Sequence, residues 1–215
     1  MKRIVRNSAV CLTVAALVTF IELTAAAQSA SSPEIGDKAP EWSDLAGVDE
    51  KPHSLNDLAD RDIVVVCFTC NSCPYAVDYE DRLIALQKKF ADDGNRAQLI
   101  AINSNVIPDD RLDQMQQRAK EKKFNFPYLW DESQDVARSY GAIYTPEFFV
   151  LNSRREIVYK GALDDSTDAA RVSQRYVEDA VSAALAGKTP AVQKTGARGC
   201  TIRFERKRRK PAPEP

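Results

Sequence analysis

Two apolar runs, each followed by polar residues, dominate the hydrophobic pattern of this chain. Residues 63–68 read Ile-Val-Val-Val-Cys-Phe, and residues 98–103 read Gln-Leu-Ile-Ala-Ile-Asn. Apolar and β-branched runs of this length are typical of strands buried on both faces of a sheet. Between them, apolar residues recur at helical spacing from Val77 to Phe90, and Asp-Asp-Gly closes the segment. The pattern therefore predicts the order strand, helix, strand.

The same alternation continues toward the carboxyl terminus. The pattern predicts a helix over roughly 110–122, a short strand at 128–130, a helix near 134–140, two strands at 147–151 and 156–160, and a last helix over 171–185. Strands that alternate with helices and finish with a hairpin indicate a mixed central sheet flanked by helices. We therefore predict one α/β domain over residues 28–187, with an extension over 188–215.

The amino terminus has the pattern of a secretory signal. Three basic residues precede an apolar run over 9–21, and three consecutive alanines end at residue 27. Only 15 residues separate Arg6 from Glu22, whereas a membrane-spanning helix needs about 20. We therefore expect residues 1–27 to be a signal peptide. The mature protein is then exported to the periplasm or another extracytoplasmic space, without stable insertion in the membrane.

The charge composition argues against a nucleic-acid partner. The chain carries 30 Lys and Arg against 31 Asp and Glu, a formal net charge of −1. A basic cluster at 203–210 lies in a Pro-rich end, and such a segment is typical of a solvated tail. We expect no nucleic-acid binding.

The cysteines carry the candidate chemistry. Four remain after removal of the signal: Cys67, Cys70, Cys73 and Cys200. Cys70 and Cys73 stand three positions apart where a predicted strand ends and a helix begins at Pro74. Unpaired N–H groups and about half a positive charge at the start of a helix favour a thiolate, so the pKa of Cys70 should fall. Cys73, one turn away, can attack a mixed disulfide formed on Cys70.

Several segments together resemble a known family. They are the Cys-Asn-x-Cys-Pro-Tyr site and the stretches at 35–40, 54–58, 126–131, 141–150 and 199–202. The combination resembles the redoxin branch of the thioredoxin superfamily, the alkyl hydroperoxide reductase, thiol-specific antioxidant and peroxiredoxin-like proteins. The resemblance implies a thioredoxin-like fold with an N-terminal redoxin-type extension.

The resemblance also implies roles for individual residues. Cys70 matches the attacking cysteine and Cys73 the resolving one, while Thr145 and Pro146 match the cis-proline segment that faces the pair and docks a partner. The implied activity is that of a thiol-disulfide oxidoreductase without a cofactor. Its partners would be protein or small-molecule thiols and disulfides, with a further protein as electron donor or acceptor. The buried carboxylate of many thioredoxins would fall near Val64, so proton transfer here requires water or another carboxylate.

A thiol-dependent peroxidase is the first alternative. Typical peroxiredoxins carry a proline and a threonine seven and three residues before the cysteine that attacks peroxide. The corresponding residues are Ile63 and Cys67 for Cys70, and Val66 and Cys70 for Cys73. Neither cysteine fits that pattern, so peroxide reduction ranks second.

A thiol chaperone for Cu(I) or Zn(II) is the second alternative, and it requires all four cysteine sulfurs to converge. Cys67 belongs to the strand pattern and is expected to pack as a small hydrophobic residue. Cys200 follows Gly199 in a flexible-looking tail. It could be a spare thiol, a structural bridge to Cys67 or an extra resolving group, and we otherwise expect no metal site.

Overall fold

The structure is a computed structural model that describes residues 32–94 and 96–206. The predicted signal peptide and the end of the basic tail lie outside the described residues. Within the described part of the chain, no helix is long and apolar enough to cross a membrane.

Residues 32–94 and 96–206 contain nine strands and four helices. The strands are β1 Leu45–Gly47, β2 Pro52–His53, β3 Ile63–Phe68, β4 Ala97–Asn103, β5 Tyr128–Trp130, β6 Tyr144–Thr145, β7 Glu147–Leu151, β8 Ile157–Gly161 and β9 Cys200–Thr201. The helices are α1 Pro74–Asp92, α2 Leu112–Lys122, α3 Asp135–Tyr140 and α4 Tyr176–Leu185, with short 3-10 turns at Leu55–Leu58, Pro108–Asp110 and Ala169–Arg171.

Seven strands form one mixed sheet in the order β2-β1-β5-β4-β3-β7-β8. β3 runs parallel to β4, with Ile63 opposite Ala97, and antiparallel to β7, with Phe68 opposite Glu147. β6 and β9 form a separate two-stranded sheet. The predicted α/β fold with a mixed central sheet flanked by helices is thereby confirmed.

The side chains of β3 alternate between two hydrophobic layers. Val65 and Cys67 face the layer that contains Leu83 of α1 and Val177 of α4. Their neighbours in the strand face the layer that contains Tyr140 of α3. Cys67 is fully buried, so its predicted role as a small hydrophobic residue of the core is confirmed.

Most predicted elements are confirmed within a few residues. The strands at 63–68, 128–130 and 147–151 have the predicted bounds. The predicted start of the last helix is wrong, because the helix begins at Tyr176 rather than near residue 171. The preceding loop is held instead by the ion pair between Arg82 and Asp164 at 2.7 Å. The sequence pattern did not predict β1, β2, β6 or β9, since strands of two or three residues carry little periodicity.

The expectation of a flexible tail is wrong for the described residues after 187. The Thr195 hydroxyl lies 2.6 Å from the Tyr159 hydroxyl. The N–H of Arg203 donates to Asn105 Oδ1 at 2.9 Å, and Ile202 is buried. These contacts hold the extension against the domain and place β9 beside β6.

Candidate active site

The chain enters the candidate site at the carboxyl end of the central strand. After β3, Thr69 donates its N–H to Ile102 of the neighbouring strand, and a short loop carries Cys70 to Cys73. Cys73 is the N-cap of α1, with the extended backbone angles φ −88° and ψ 118°, and Pro74 is the first helical residue. The predicted start of the helix is confirmed, because proline fits the first turn and disfavours helical geometry in the residue before it.

The two thiols lie against each other and against the segment before Pro146. Cys70 and Cys73 pack against each other, and both are free thiols. Cys70 Sγ is 3.4 Å from Thr145 Oγ1, and the Cys73 thiol, when protonated, donates to the Thr145 carbonyl oxygen at 3.0 Å. The Thr145–Pro146 peptide bond is cis. The structure thus brings together the four residues that the sequence proposed for the site.

The cysteine pair is buried in the structure. Cys70 is 3% exposed and Cys73 is 1% exposed, whereas Cys200 is partly exposed. The reason is tertiary: Thr145 of β6 and Cys200 of β9 both pack against the start of α1. The sequence around the pair contains no sign of this cover.

The expected distribution of charge within the pair is also wrong. Cys73, not Cys70, has the lowered pKa, about 4, because Cys70 donates a hydrogen bond to its sulfur and the N–H groups of Ala76 and Cys200 point at it. The pKa of Cys70 is raised, because its proton is shared with Cys73, because it is buried, and because the charge of Asp110 is near. These shifts favour a negative charge on Cys73 over one on Cys70 in the reduced pair.

A buried carboxylate organises the loop between the cysteines. Asp110 Oδ1 accepts the N–H groups of Asn71 at 2.7 Å and Ser72 at 3.0 Å. Its Oδ2 accepts the Ser72 hydroxyl at 2.6 Å and the amide of Asn105 at 2.9 Å. Asp110 thus accepts the two N–H groups nearest Cys70. Its negative charge also disfavours a negative charge on the Cys70 sulfur.

Asp110 is a residue of the candidate site that the sequence analysis did not predict. It lies in the turn after β4, at the edge of the sheet where β3 also ends. The sequence did contain a signal for this residue, namely an acidic side chain shortly after the end of β4. Because β3 and β4 are parallel, their carboxyl ends lie at the same edge of the sheet. The Ser72 hydroxyl, 3.8 Å from Cys70 Sγ, connects this carboxylate to the cysteine pair. Asp110 is thus a buried carboxylate near the pair, supplied by a different part of the chain from Val64.

Cys200 is the third thiol of the site. In the pairing of β6 with β9 it lies opposite Thr145, and its N–H is 3.4 Å from Cys73 Sγ. Its side chain is hydrogen-bonded to Cys73, and that contact, with burial, raises the pKa of Cys200 to about 11. The alternative of a disulfide between Cys200 and Cys67 is therefore wrong, since Cys67 lies inside the core layer between the sheet and α1.

The residues that the structure describes do not form the metal site that a metal chaperone needs. Among them, no group of three or more His, Cys, Asp or Glu side chains is arranged to hold a metal ion. Cys67 points into the core, whereas Cys70, Cys73 and Cys200 pack together. The four-sulfur convergence that this alternative required is thus absent from the described part of the chain.

The fold and the cysteine site define a protein of the thioredoxin superfamily. The sequence profile of the AhpC/TSA family matches residues 35–160, more than half of the chain. The chain belongs to the AhpC/TSA family.

Solved structures support the same assignment. An uncharacterized conserved protein from Geobacillus kaustophilus is 31% identical, with a TM-score of 0.75 over 81% of this chain and 94% of its own. A hypothetical protein from Sinorhizobium meliloti 1021 is 30% identical, with a TM-score of 0.74 over 81% of this chain and 97% of its own. Peroxidoxin BcpB from Mycobacterium tuberculosis, 22% identical with a TM-score of 0.53 over 63% of this chain and 89% of its own, shares the fold. A search of curated proteins found no match.

Proposed function

We propose that this protein is an exported thiol-disulfide oxidoreductase that works through Cys70 and Cys73. The observation that carries the proposal is the contact between two free thiols at the start of α1, beside Thr145 and Pro146. Two cysteines that pack against each other can form and break a disulfide with little movement of the backbone. Membership of the AhpC/TSA family supports thiol redox chemistry in general.

The first step would be attack by Cys70 on a disulfide of the partner. The Cys70 sulfur bonds to one sulfur of the partner, and its proton passes to the Cys73 thiolate to which it is hydrogen-bonded. The other partner sulfur leaves as a thiolate and takes that proton from Cys73. Cys73 would thus act first as the base for Cys70.

The second step would be resolution by Cys73. Its thiolate attacks Cys70 Sγ, the bond from Cys70 to the partner breaks, and the second partner sulfur leaves as a thiolate. The partner disulfide has then been reduced by two electrons, and the protein holds a Cys70–Cys73 disulfide. The reverse sequence oxidises a partner dithiol.

Asp110 and Ser72 would act as positioning residues in this mechanism. The carboxylate fixes the loop by accepting two of its N–H groups and one hydroxyl. Ser72 lies within reach of Cys70 Sγ at 3.8 Å. The connected hydrogen bonds hold Cys70 beside Cys73 while protons move between the sulfurs.

The surface around the site supports a protein as the partner. Among the described residues, three large apolar side chains are exposed: Tyr75 at 45%, Ile143 at 52% and Tyr144 at 36%. Each lies within two residues of Cys73 or Thr145 in the sequence. Exposed apolar groups beside a reactive site favour a partner whose disulfide is flanked by apolar residues.

Export is the part of the proposal that rests on the amino-terminal sequence. The basic, apolar and alanine segments predict cleavage after residue 27, and an oxidising compartment would allow the cysteine pair to cycle through a disulfide. The mass of the protein recovered from a periplasmic extract tests this point. A mature chain beginning at Gln28 is expected, and an uncleaved chain in the cytoplasm would contradict export.

Turnover of a disulfide substrate tests the activity. The mature protein should reduce insulin or glutathione disulfide with a dithiol as electron source, and Cys70→Ser should abolish the reaction. Cys67→Ala is the matched control. It removes a cysteine from the same seven-residue segment, but the sulfur of Cys67 lies in the core and away from the pair. Equal rates for wild type and Cys70→Ser would reject the proposal.

A thiol-dependent peroxidase is a second candidate, favoured by the AhpC/TSA assignment and by the lowered pKa of Cys73. The Cys73 thiolate would attack hydrogen peroxide to give a sulfenic acid and hydroxide. Condensation with the Cys70 thiol would then give the disulfide and water. Dimedone should trap a sulfenic acid on Cys73 in the double variant Cys70→Ser, Cys200→Ser, which lacks both neighbouring thiols. If peroxide oxidises this variant no faster than it oxidises free cysteine, the candidate is rejected.

A further inference from the structure

Cys73 contacts a thiol on each side. Cys70 and Cys200 both pack against it, and the N–H of Cys200 lies 3.4 Å from Cys73 Sγ. The sulfur of Cys70 is further bounded by Thr145 and Ser72. Cys70, Cys73 and Cys200 are therefore described as a row, in which Cys73 neighbours both of the others although Cys200 is 127 residues beyond it in the chain.

The backbone of β9 is built to deliver Cys200 to this position. The N–H of Ile202 donates to the carbonyl of Ile143 at 2.8 Å, and Cys200 pairs with Thr145. A Cβ on Gly199 would lie 2.0 Å from the Thr145 carbonyl oxygen, so the close approach of the two strands needs glycine at this position. The placement of Cys200 is thus a consequence of specific packing.

Burial differs along the row. Cys70 and Cys73 are 3% and 1% exposed, whereas Cys200 is partly exposed. An external thiol therefore meets Cys200 more readily than Cys73. Access is one of the factors that set the rate of thiol-disulfide exchange.

We infer that Cys200 is a third redox thiol, which moves the disulfide of the oxidised protein from Cys70–Cys73 to Cys73–Cys200. The inference rests on the proposed function. In this step the Cys200 thiolate attacks Cys73 Sγ, the Cys70–Cys73 bond breaks, and Cys70 leaves as a thiolate that takes up the proton lost by Cys200. One disulfide replaces another, so the step involves no net oxidation.

The transferred bond is accessible to a thiol reductant. A thiolate of the reductant attacks Cys200 Sγ, and Cys73 leaves as a thiolate, the form that its surroundings stabilise. A second reductant thiolate then attacks the reductant sulfur of this mixed disulfide. The reductant is released as a disulfide, and Cys200 leaves as a thiolate that takes up the proton lost by the second reductant thiol. Low pKa values speed the departure of a thiolate, so Cys73 is suited to this role.

Disulfide mapping of single variants tests the inference. After oxidation with glutathione disulfide, Cys70→Ser should contain a Cys73–Cys200 bond, and Cys200→Ser should contain a Cys70–Cys73 bond. Cys73→Ser should form no internal bond, because Cys73 is the sulfur that contacts the other two. Circular dichroism of each variant checks that it is folded.

The rate of reduction provides the second measurement. Oxidised Cys200→Ser should be reduced by glutathione about ten-fold more slowly than wild type, because the accessible end of the row is lost. Gly199→Ala keeps the thiol but displaces it, so it should slow the reaction in the same direction. Gly196→Ala is the matched control, since a Cβ there meets nothing within 4 Å.

The outcomes separate this inference from the proposed function. If the Cys70–Cys73 bond forms and insulin is turned over, but no Cys73–Cys200 bond appears and Cys200→Ser is reduced at the wild-type rate, the third thiol is rejected and the function stands. If Cys73–Cys200 forms without any turnover of disulfide substrates, the function fails and the redox activity of Cys200 stands. If neither bond forms, both are rejected.

Discussion

The carboxylate of Asp110 accepts the hydroxyl of Ser72 at 2.6 Å and thereby ties the loop between the two cysteines to the turn after β4. Asp110 is fully buried and is also the acceptor for the N–H groups of Asn71 and Ser72. These hydrogen bonds fix the position of the buried carboxylate, and the carboxylate in turn fixes the position of the loop.

Replacing Asp110 by asparagine should loosen the loop and change the pKa of Cys70. The NH2 group that replaces Oδ2 cannot accept from Ser72 or Asn105, so we expect a loss of about 1 to 3 kcal/mol in the free energy of unfolding. The pKa of Cys70 should fall, because the nearby negative charge that raises it is removed. Urea unfolding and the pH dependence of Cys70 alkylation measure the two effects.

Asp109→Asn is the control for this substitution. Asp109 is exposed and contributes its backbone carbonyl, rather than its carboxylate, to the loop. Its replacement should leave both measurements close to wild type. An equal effect of the two substitutions would mean that total charge, and not the position of Asp110, determines the properties of the loop.

The reduced protein should show a thiolate far below the pH at which cysteine ordinarily ionises. The pKa of Cys73 is about 4 against an ordinary value of 9.0, so thiolate absorbance at 240 nm should persist down to about pH 4 and disappear in Cys73→Ser. A titration midpoint near 9 in the wild type would contradict this assignment of charge.

The same shift predicts how stability depends on pH. Because the pKa of Cys73 is lower in the folded state, the unfolded chain binds more protons between pH 4 and 9, and deprotonation favours folding. The contribution of Cys73 should therefore be complete above pH 9 and be lost as the pH falls toward 4. Unfolding of reduced wild type and Cys73→Ser across this range should give a stability difference that grows with pH.

Gly199→Ala should release β9 from β6. The added Cβ would lie 2.0 Å from the Thr145 carbonyl oxygen, so the strand must move away. We expect a lower melting temperature and faster alkylation of Cys200. Gly196→Ala serves again as the reference, and identical alkylation rates in the two variants would show that β9 does not depend on this close contact.

Ile143→Ser should weaken the reaction with protein disulfides selectively. Ile143 is 52% exposed, and its backbone carbonyl, which accepts from Ile202, is retained in the variant. We expect KM for insulin to rise about three- to ten-fold with kcat little changed, since an apolar contact with the partner is lost. Glutathione disulfide is the control substrate, and a parallel loss with it would indicate general damage to the site.

Local sequence was sufficient to predict the elements that carry the cysteine pair. The apolar run of β3 and the proline at the first turn of α1 determine where the strand ends and where the helix begins, because these signals act over a few residues. For the same reason the strands β6 and β9 could not be predicted. Each has two residues, and its existence depends on a partner strand more than fifty residues away.

The sequence by itself determined that two thiols stand one helical turn apart at the end of a buried strand. Tertiary structure decided which of them carries the charge, because Asp110 lies 39 residues beyond Asn71 and Cys200 lies 127 residues beyond Cys73. Hydrogen bonds and charge act through space over a few ångströms, whatever the separation along the chain. The burial of the pair and the third thiol beside it follow from packing that no local pattern records.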